Sequence, residues 1–316
     1  MIEELNNSST NTENDLSLQV ISAISEKDTT KLNTLSENNK EQIDKLTETA
    51  IKNADASEES AQLIAKVVAN ASDELANKVV EEVTKNSTEE NQALSAKVMK
   101  SIVETNPEKI ENLSDENKGN IISQTIEAAK NQADGNSSDS LDLSNTIAEI
   151  VTKSDDETSA KVLETLSKAT EDSESKLALN VVSNLTKQEN FEEKLDMLSV
   201  TSSAVDQTIN KLVEKAVENA STNDDLKLVT NIVENTKGSV ADKIINSANK
   251  SAESKKKITE IIVKVVEKNP EKAIEIIEKN KNTNTVLETV KTKIENNEAV
   301  SIDDFSEVFD SDVSPN

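Results

Sequence analysis

Histidine, cysteine, tyrosine and tryptophan are absent from this chain of 316 residues, and every one of its 35 basic residues is lysine. Phenylalanine, glycine and proline occur three times each. Without cysteine there is no disulfide, no thiolate metal site and no thiol nucleophile, and the redox compartment stays open. Without histidine there is no zincin helix, and three isolated glycines (Gly119, Gly135, Gly238) build neither a phosphate-cradling loop nor a hydrolase elbow. Arginine forks and aromatic stacking platforms are missing, while 61 acidic residues against 35 basic leave a net charge of -26. Such a surface repels phosphate, so no nucleic acid partner is expected. The densest apolar stretch, 261–266, is already broken by Lys264, far short of the ~20 residues of a membrane span, so no membrane insertion is expected. The opening Met1-Ile2-Glu3-Glu4-Leu5 has neither the basic nor the apolar region of a Sec-type signal. A cytoplasmic location is the expectation, with secretion by a signal-independent route as the alternative.

What the chain does hold is aliphatic. Leu, Ile, Val and Phe number 78 of 316, above the roughly 20% below which a highly charged chain stays disordered. Ala, Glu, Lys and Leu favour helix over sheet. Leu63, Ile64, Val67, Val68 and Ala71 fall at helical spacing, as do Leu75, Val79, Val80 and Val83, then Leu94, Val98, Ile102 and Val103, and Ile258, Ile261, Ile262, Val265 and Val266. Each set makes a broad apolar stripe with charges elsewhere, and no segment sustains strand-like alternation. The class is all-α.

Helix starts are marked. Ser57, Ser72 and Ser87 each precede a stripe, and Ser87-Thr88-Glu89-Glu90 and Ser154-Asp155-Asp156-Glu157 have capping-box form. Asn106-Pro107 and Asn269-Pro270 place a good N-cap before proline at the first helical position. Asn86, Asn219 and Asn280 are expected to end helices in the left-handed conformation. From Ser154 onward, start signals fall near Thr170, Asn190, Ser202, Thr222, Gly238, Ser251, Asn269, Asn284 and Ser301, about 16 residues apart on average. Two such helices make a unit of about 33 residues, in the range of helical-hairpin repeats. Stacked antiparallel hairpins bury both flanks of each helix, which accounts for the wide stripes. The expectation is an extended α-α hairpin repeat array, an α-solenoid of short helices at about 16 residues per helix, over residues 14–300. A flexible polar tail covers 1–13, a loop or a break between sub-arrays falls at 131–140, and 301–316 form a C-terminal capping or docking segment.

Catalytic constellations are thin. Ser-x-x-Lys occurs at Ser173/Lys176, Ser247/Lys250 and Ser254/Lys257, a chance event in a chain rich in both residues, and its companion Lys-Thr-Gly is missing. Carboxylate pairs are everywhere, without the aromatic platforms of sugar sites. Asp134, Asn136 and Ser138 match the first spacings of a calcium loop, but Asp139 stands where glycine is required and Asn145 where a bidentate glutamate belongs. Lys255-Lys256-Lys257 reads as one exposed helix turn. No catalytic residue, metal or cofactor is therefore expected. The acidic segment Asp303, Asp304, Phe305 and Phe309 carries two of the three phenylalanines one helical turn apart. It reads either as a helix sealing the end of the array or as a docking segment for a partner groove.

The run Asn269-Pro270-Glu271-Lys272-Ala273-Ile274-Glu275-Ile276-Ile277 resembles a helix of the tetratricopeptide and HEAT-like class of α-solenoids. The Trp, Tyr, Gly and Phe marks of the tetratricopeptide consensus are absent, so the resemblance brings no ligand site with it. The start of 53–61 (Asn53-Ala54-Asp55-Ala56-Ser57) and the end Asp312-Val313-Ser314-Pro315-Asn316 are similar to Lys/Asn/Ser-rich helical extensions of bacterial proteins with FecR-like domains. That resemblance covers most of 40–316 and implies no activity here, since the β-rich FecR-like domain itself is missing. The functional expectation is a non-enzymatic protein–protein interaction scaffold that favours cationic partners. The alternative is an exported bacterial structural or surface-associated protein.

Overall fold

Every regular element among the described residues is an α-helix. The computed structural model describes residues 11–52, 54–135, 142–171, 176–201, 203–220, 222–235, 260–261, 263–266, 269–280 and 285–301. It divides into two compact units between Thr165 and Leu166.

The first unit contains α1 (Asn11–Lys27), α2 (Thr29–Asn38), α3 (Lys40–Lys52), α4 (Glu58–Asn70), α5 (Asp73–Thr84), α6 (Glu89–Thr105), the single turn α7 (Glu108–Glu111), α8 (Asp115–Ala133), α9 (Leu143–Lys153) and most of α10 (Asp156–Thr170). Its apolar stripes are those of the sequence: Ile64, Val67, Val68, Leu75, Val79, Val80, Val83, Leu94, Val98, Ile102 and Val103 are all buried. Helices adjacent in the chain pack as pairs, α4 on α5 and α8 on α9. Next-but-one packing runs through them: α1 on α3, α3 on α5, α4 on α6 and α6 on α8, joined by α1 on α4 and α5 on α8. A helix that meets partners on both flanks needs a stripe wider than a coiled-coil seam, and that width is what the sequence carries.

The second unit holds the end of α10 with α11 (Leu177–Leu185), α12 (Phe191–Thr201), α13 (Ser203–Glu218), α14 (Asn223–Asn235), α15 (Pro270–Asn280) and α16 (Thr285–Glu295). Here α11 packs on α13 and α14, α12 on α13, and α15 on α16. Leu177, Leu179, Val181, Leu212, Val213, Val229 and Val233 are buried.

Caps begin the helices, with some shifts from the expected residue. Ser57 and Ser72 cap α4 and α5, their hydroxyls accepting from Ser60 N and Leu75 N. The third cap is Thr88, not Ser87: Thr88 Oγ1 accepts from Asn91 N at 3.3 Å. Likewise Asp155, not Ser154, caps α10, accepting from Thr158 N at 2.7 Å. A true reciprocal box stands at the start of α14, where Thr222 Oγ1 accepts from Asp225 N and Thr222 N donates to Asp225 Oδ2. Pro270 opens α15 as expected, but the Asn106-Pro107 start yields only the four residues of α7, with no side-chain cap.

Thr170 ends a helix instead of starting one. The stripe of Val162, Leu163 and Leu166 carries α10 up to it, and its hydroxyl bonds back to Leu166 O at 2.9 Å. Asparagine does enter the left-handed region, at Asn190 (φ 59°) and Asn297 (φ 54°), not at Asn86 or Asn219; the side chain and surroundings of Asn280 lie outside the description. At Asn297 the paired bonds Glu298 N to Lys293 O and Asn297 N to Ile294 O form a Schellman ending on α16.

At the sequence's expected boundaries, α1 already includes 11–13, and α8 runs through 131–133 to a turn at Asp134 and Gly135 (φ 75°). Residues 1–10, 136–141 and 302–316 lie outside the description.

Candidate functional site

The expected contact residues Asp303, Asp304, Phe305 and Phe309 fall outside the described residues, as do Ser173, Ser247, Lys250, Ser254 and the Lys255–Lys257 run. Lys176, the described member of a Ser-x-x-Lys match, is engaged elsewhere: its ammonium donates to both carboxylate oxygens of Asp225, at 3.0 and 2.9 Å. Asn145 lies in the first turn of α9, its side chain on Glu149 at 2.7 Å and its backbone N–H on Asp142. Among the described residues no group of three or more acidic side chains is placed to hold a metal ion. Nor is any described helix long and apolar enough to cross a membrane. The third phenylalanine, Phe191, is buried at the start of α12.

Concavity appears instead in the second unit, between the end of α10 and the face of α13. Ser167, Thr170 and Glu171 form one wall and Lys211, Glu214, Lys215 and Glu218 the other, around about 250 Å³. The spacing of Lys211, Glu214, Lys215 and Glu218 places them on one side of α13. The sequence signal existed in that i, i+4 lysine pair, but its opposing wall depends on α10 continuing to Thr170. The cleft is polar and self-neutralising: Lys211 meets Glu171 at 3.2 Å and Lys215 meets Glu218 at 3.2 Å. Thr170 keeps its hydroxyl on helix carbonyls. Nothing in this set resembles a nucleophile held against a base.

Among the described residues the exposed large apolar side chains are Met197 and Val200, both on α12, the latter 89% exposed. The first turns of α4, α5, α6, α8 and α10 each carry two carboxylates: Glu58 and Glu59, Asp73 and Glu74, Glu89 and Glu90, Asp115 and Glu116, Asp156 and Glu157. Negative charge suits these positive helix ends. Lysines reach them from other helices: Lys40 pairs with Glu74, Lys109 with Asp73 at 3.4 Å and with Ala71 O at 2.9 Å, and Lys161 donates to Asp115 O at 2.8 Å.

Among the described residues two carboxylates are shifted. Hydrogen bonds from Ser57 and Ser60 hold Asp55 below the usual aspartate range. Burial alone would push Glu82 up, but the ammoniums of Lys78 (2.8 Å) and Lys85 (3.0 Å) overcome it and hold the carboxyl below its ordinary value. Asp55 is a hydrogen-bonded carboxylate and Glu82 a structural ion pair, and both are shifted away from the neutral range in which a general acid or base works.

No protein-family model matches the chain, and no curated protein matches it.

Proposed function

We propose that the chain is a non-enzymatic protein–protein interaction scaffold built on stacked α-hairpins, in the manner of tetratricopeptide and HEAT-like solenoids. The observation that carries this reading is the next-but-one packing of the first unit, in which α4 meets both α1 and α6 while α5 meets both α3 and α8. Helical hairpins that stack by nearest neighbours offer a long face composed of many elements, and such faces serve as binding surfaces. The self-paired cleft on α13 and the missing histidine and cysteine support a binding role over a catalytic one. With a net charge of -26 the preferred partner is cationic, and its capture is salt-sensitive. Asp303, Asp304, Phe305 and Phe309 belong to the same proposal as a docking segment, as does a cytoplasmic location. The helical extensions of FecR-like proteins are one analogy for such a chain.

Cross-linking capture by the full chain tests it, at about 50 mM and about 500 mM salt, alongside a chain ending at residue 300. A discrete partner lost at high salt is the expected result. Partners that persist unchanged in the shortened chain would remove the phenylalanine pair from the binding site. Sustained turnover of a substrate by the purified protein would overturn the scaffold reading altogether.

A further inference from the structure

The N–H of an N-cap residue has no backbone partner within its own helix. Two in the first unit find one on another helix. Ser72 N donates to Asn33 Oδ1 at 2.8 Å and Ser114 N donates to Asn77 Oδ1 at 2.7 Å, across 39 and 37 residues. The acceptors share a register: Asn33 stands five residues after Asp28, which precedes α2, and Asn77 five residues after Ser72, which precedes α5. Asn77 is fully engaged. Its Oδ1 also accepts from Asn117 Nδ2 at 2.9 Å, its carbonyl accepts from the same group at 2.9 Å, and its Nδ2 donates to Asp73 O at 2.8 Å. Asn117 is itself buried. The next position in this register, five residues after Ser114, is Gly119. A Cβ there would stand 3.4 Å from Lys161 Cε, and Lys161 makes the cross-helix bond in its place, to Asp115 O.

We propose that these side chains are joints that couple neighbouring hairpins, so that the first unit opens as a block and not one hairpin at a time. Apolar packing between helices tolerates small slides, because its energy varies slowly with register. A side-chain amide that caps the next helix does not, since a shift of about 1 Å breaks its hydrogen bonds. Asn77 bonds the Ser114 amide, which starts α8, and the side chain of Asn117 in the first turn of that helix, so α5 cannot undock without breaking the bonds that tie down the start of α8. The inference rests on hydrogen bonds inside the first unit and stands or falls independently of the scaffold reading.

Residue-resolved hydrogen exchange on the full chain tests it. In the native protein the Ser72 and Ser114 amides exchange as slowly as the interiors of α5 and α8, although they are N-cap amides. Asn77→Ala speeds Ser114 by about tenfold or more, and the slowest amides of α4 and α5 then exchange faster than those of α6 and α8. Asn77→Asp keeps the Oδ1 acceptor and keeps Ser114 protected. Native Ser114 exchanging like an unbonded amide would overturn the proposal. So would acceleration confined to 114–117 in Asn77→Ala, which would make the contact a local cap. Should that variant not fold, Asn33→Ala poses the same question at Ser72, nearer the start of the unit.

Discussion

Thr47 is buried on α3, and its hydroxyl has no hydrogen-bond partner. Buried threonines elsewhere, such as Thr84, Thr125 and Thr230, return the hydroxyl to the carbonyl four residues back. Thr47 instead faces a small apolar void with Leu18, Ile21, Ile64 and Val67. An unmet hydroxyl costs about 1–3 kcal/mol in desolvation, and valine keeps the shape without that cost. Thr47→Val should therefore raise stability by about 1 kcal/mol, seen as a higher urea midpoint at an unchanged slope. A loss would mean that the hydroxyl finds a partner in solution. At the same scale, Asp55 and Glu82 set an acid limit. Both folded values lie below the ordinary carboxylate values, so the stabilisation they bring is complete above the unfolded values and lost as pH falls through the folded ones. Glu82→Gln should weaken the fold at pH 7 and converge on the native protein as pH falls through the lowered folded value, by thermal melts across that range.

Among the elements, the caps separate what was legible from what was not. Helix class and stripes followed from side-chain periodicity, because Ile64 to Val103 bury the residues that their spacing selects. Cap identity shifted by one residue at Thr88 and Asp155, since adjacent hydroxyl and carboxylate residues compete and only backbone geometry chooses between them. Thr88→Ala should cost about 1 kcal/mol, whereas Ser87→Ala should fall within about 0.5 kcal/mol of native; denaturant melts of the two variants decide it. The start expected at Thr170 failed because the stripe of Val162 and Leu166 carries α10 past it, and the α13 cleft was hidden by the same error. The asparagine joints were illegible in a chain where asparagine is frequent and partners lie nearly forty residues apart. Gly119, inside α8, can be tested at this scale too. The Cβ of Gly119→Ala would meet only the flexible end of Lys161, so the gain in helix propensity, about 0.5–1 kcal/mol, should appear as added stability.

At the scale of the molecule, charge dominates. Were every lysine paired, 26 carboxylates would still have no cation of their own. Several of the described pairs are exposed on both sides: Lys66 with Glu26 and Lys211 with Glu171 leave about half of each side chain in water, and such pairs are worth about 0–1 kcal/mol. Salt acts on both sides of this balance. It weakens the exposed pairs slightly, and it screens the repulsion among the excess carboxylates, with a Debye length of roughly 10 Å at 0.1 M salt. The second effect involves more charges and wins. The thermal midpoint should thus rise between about 20 and about 500 mM NaCl, with most of the gain in the first part of the range, where the screening length changes fastest. Association with a cationic partner should weaken over the same titration, so stability and binding move in opposite directions with one variable. Melting that moves downward with salt would mean that the ion pairs, Glu82 with Lys78 and Lys85 or Asp225 with Lys176, outweigh the repulsion. In that case Glu82→Gln and Asp225→Asn should each abolish part of the salt response, whereas under net repulsion both variants should keep it whole.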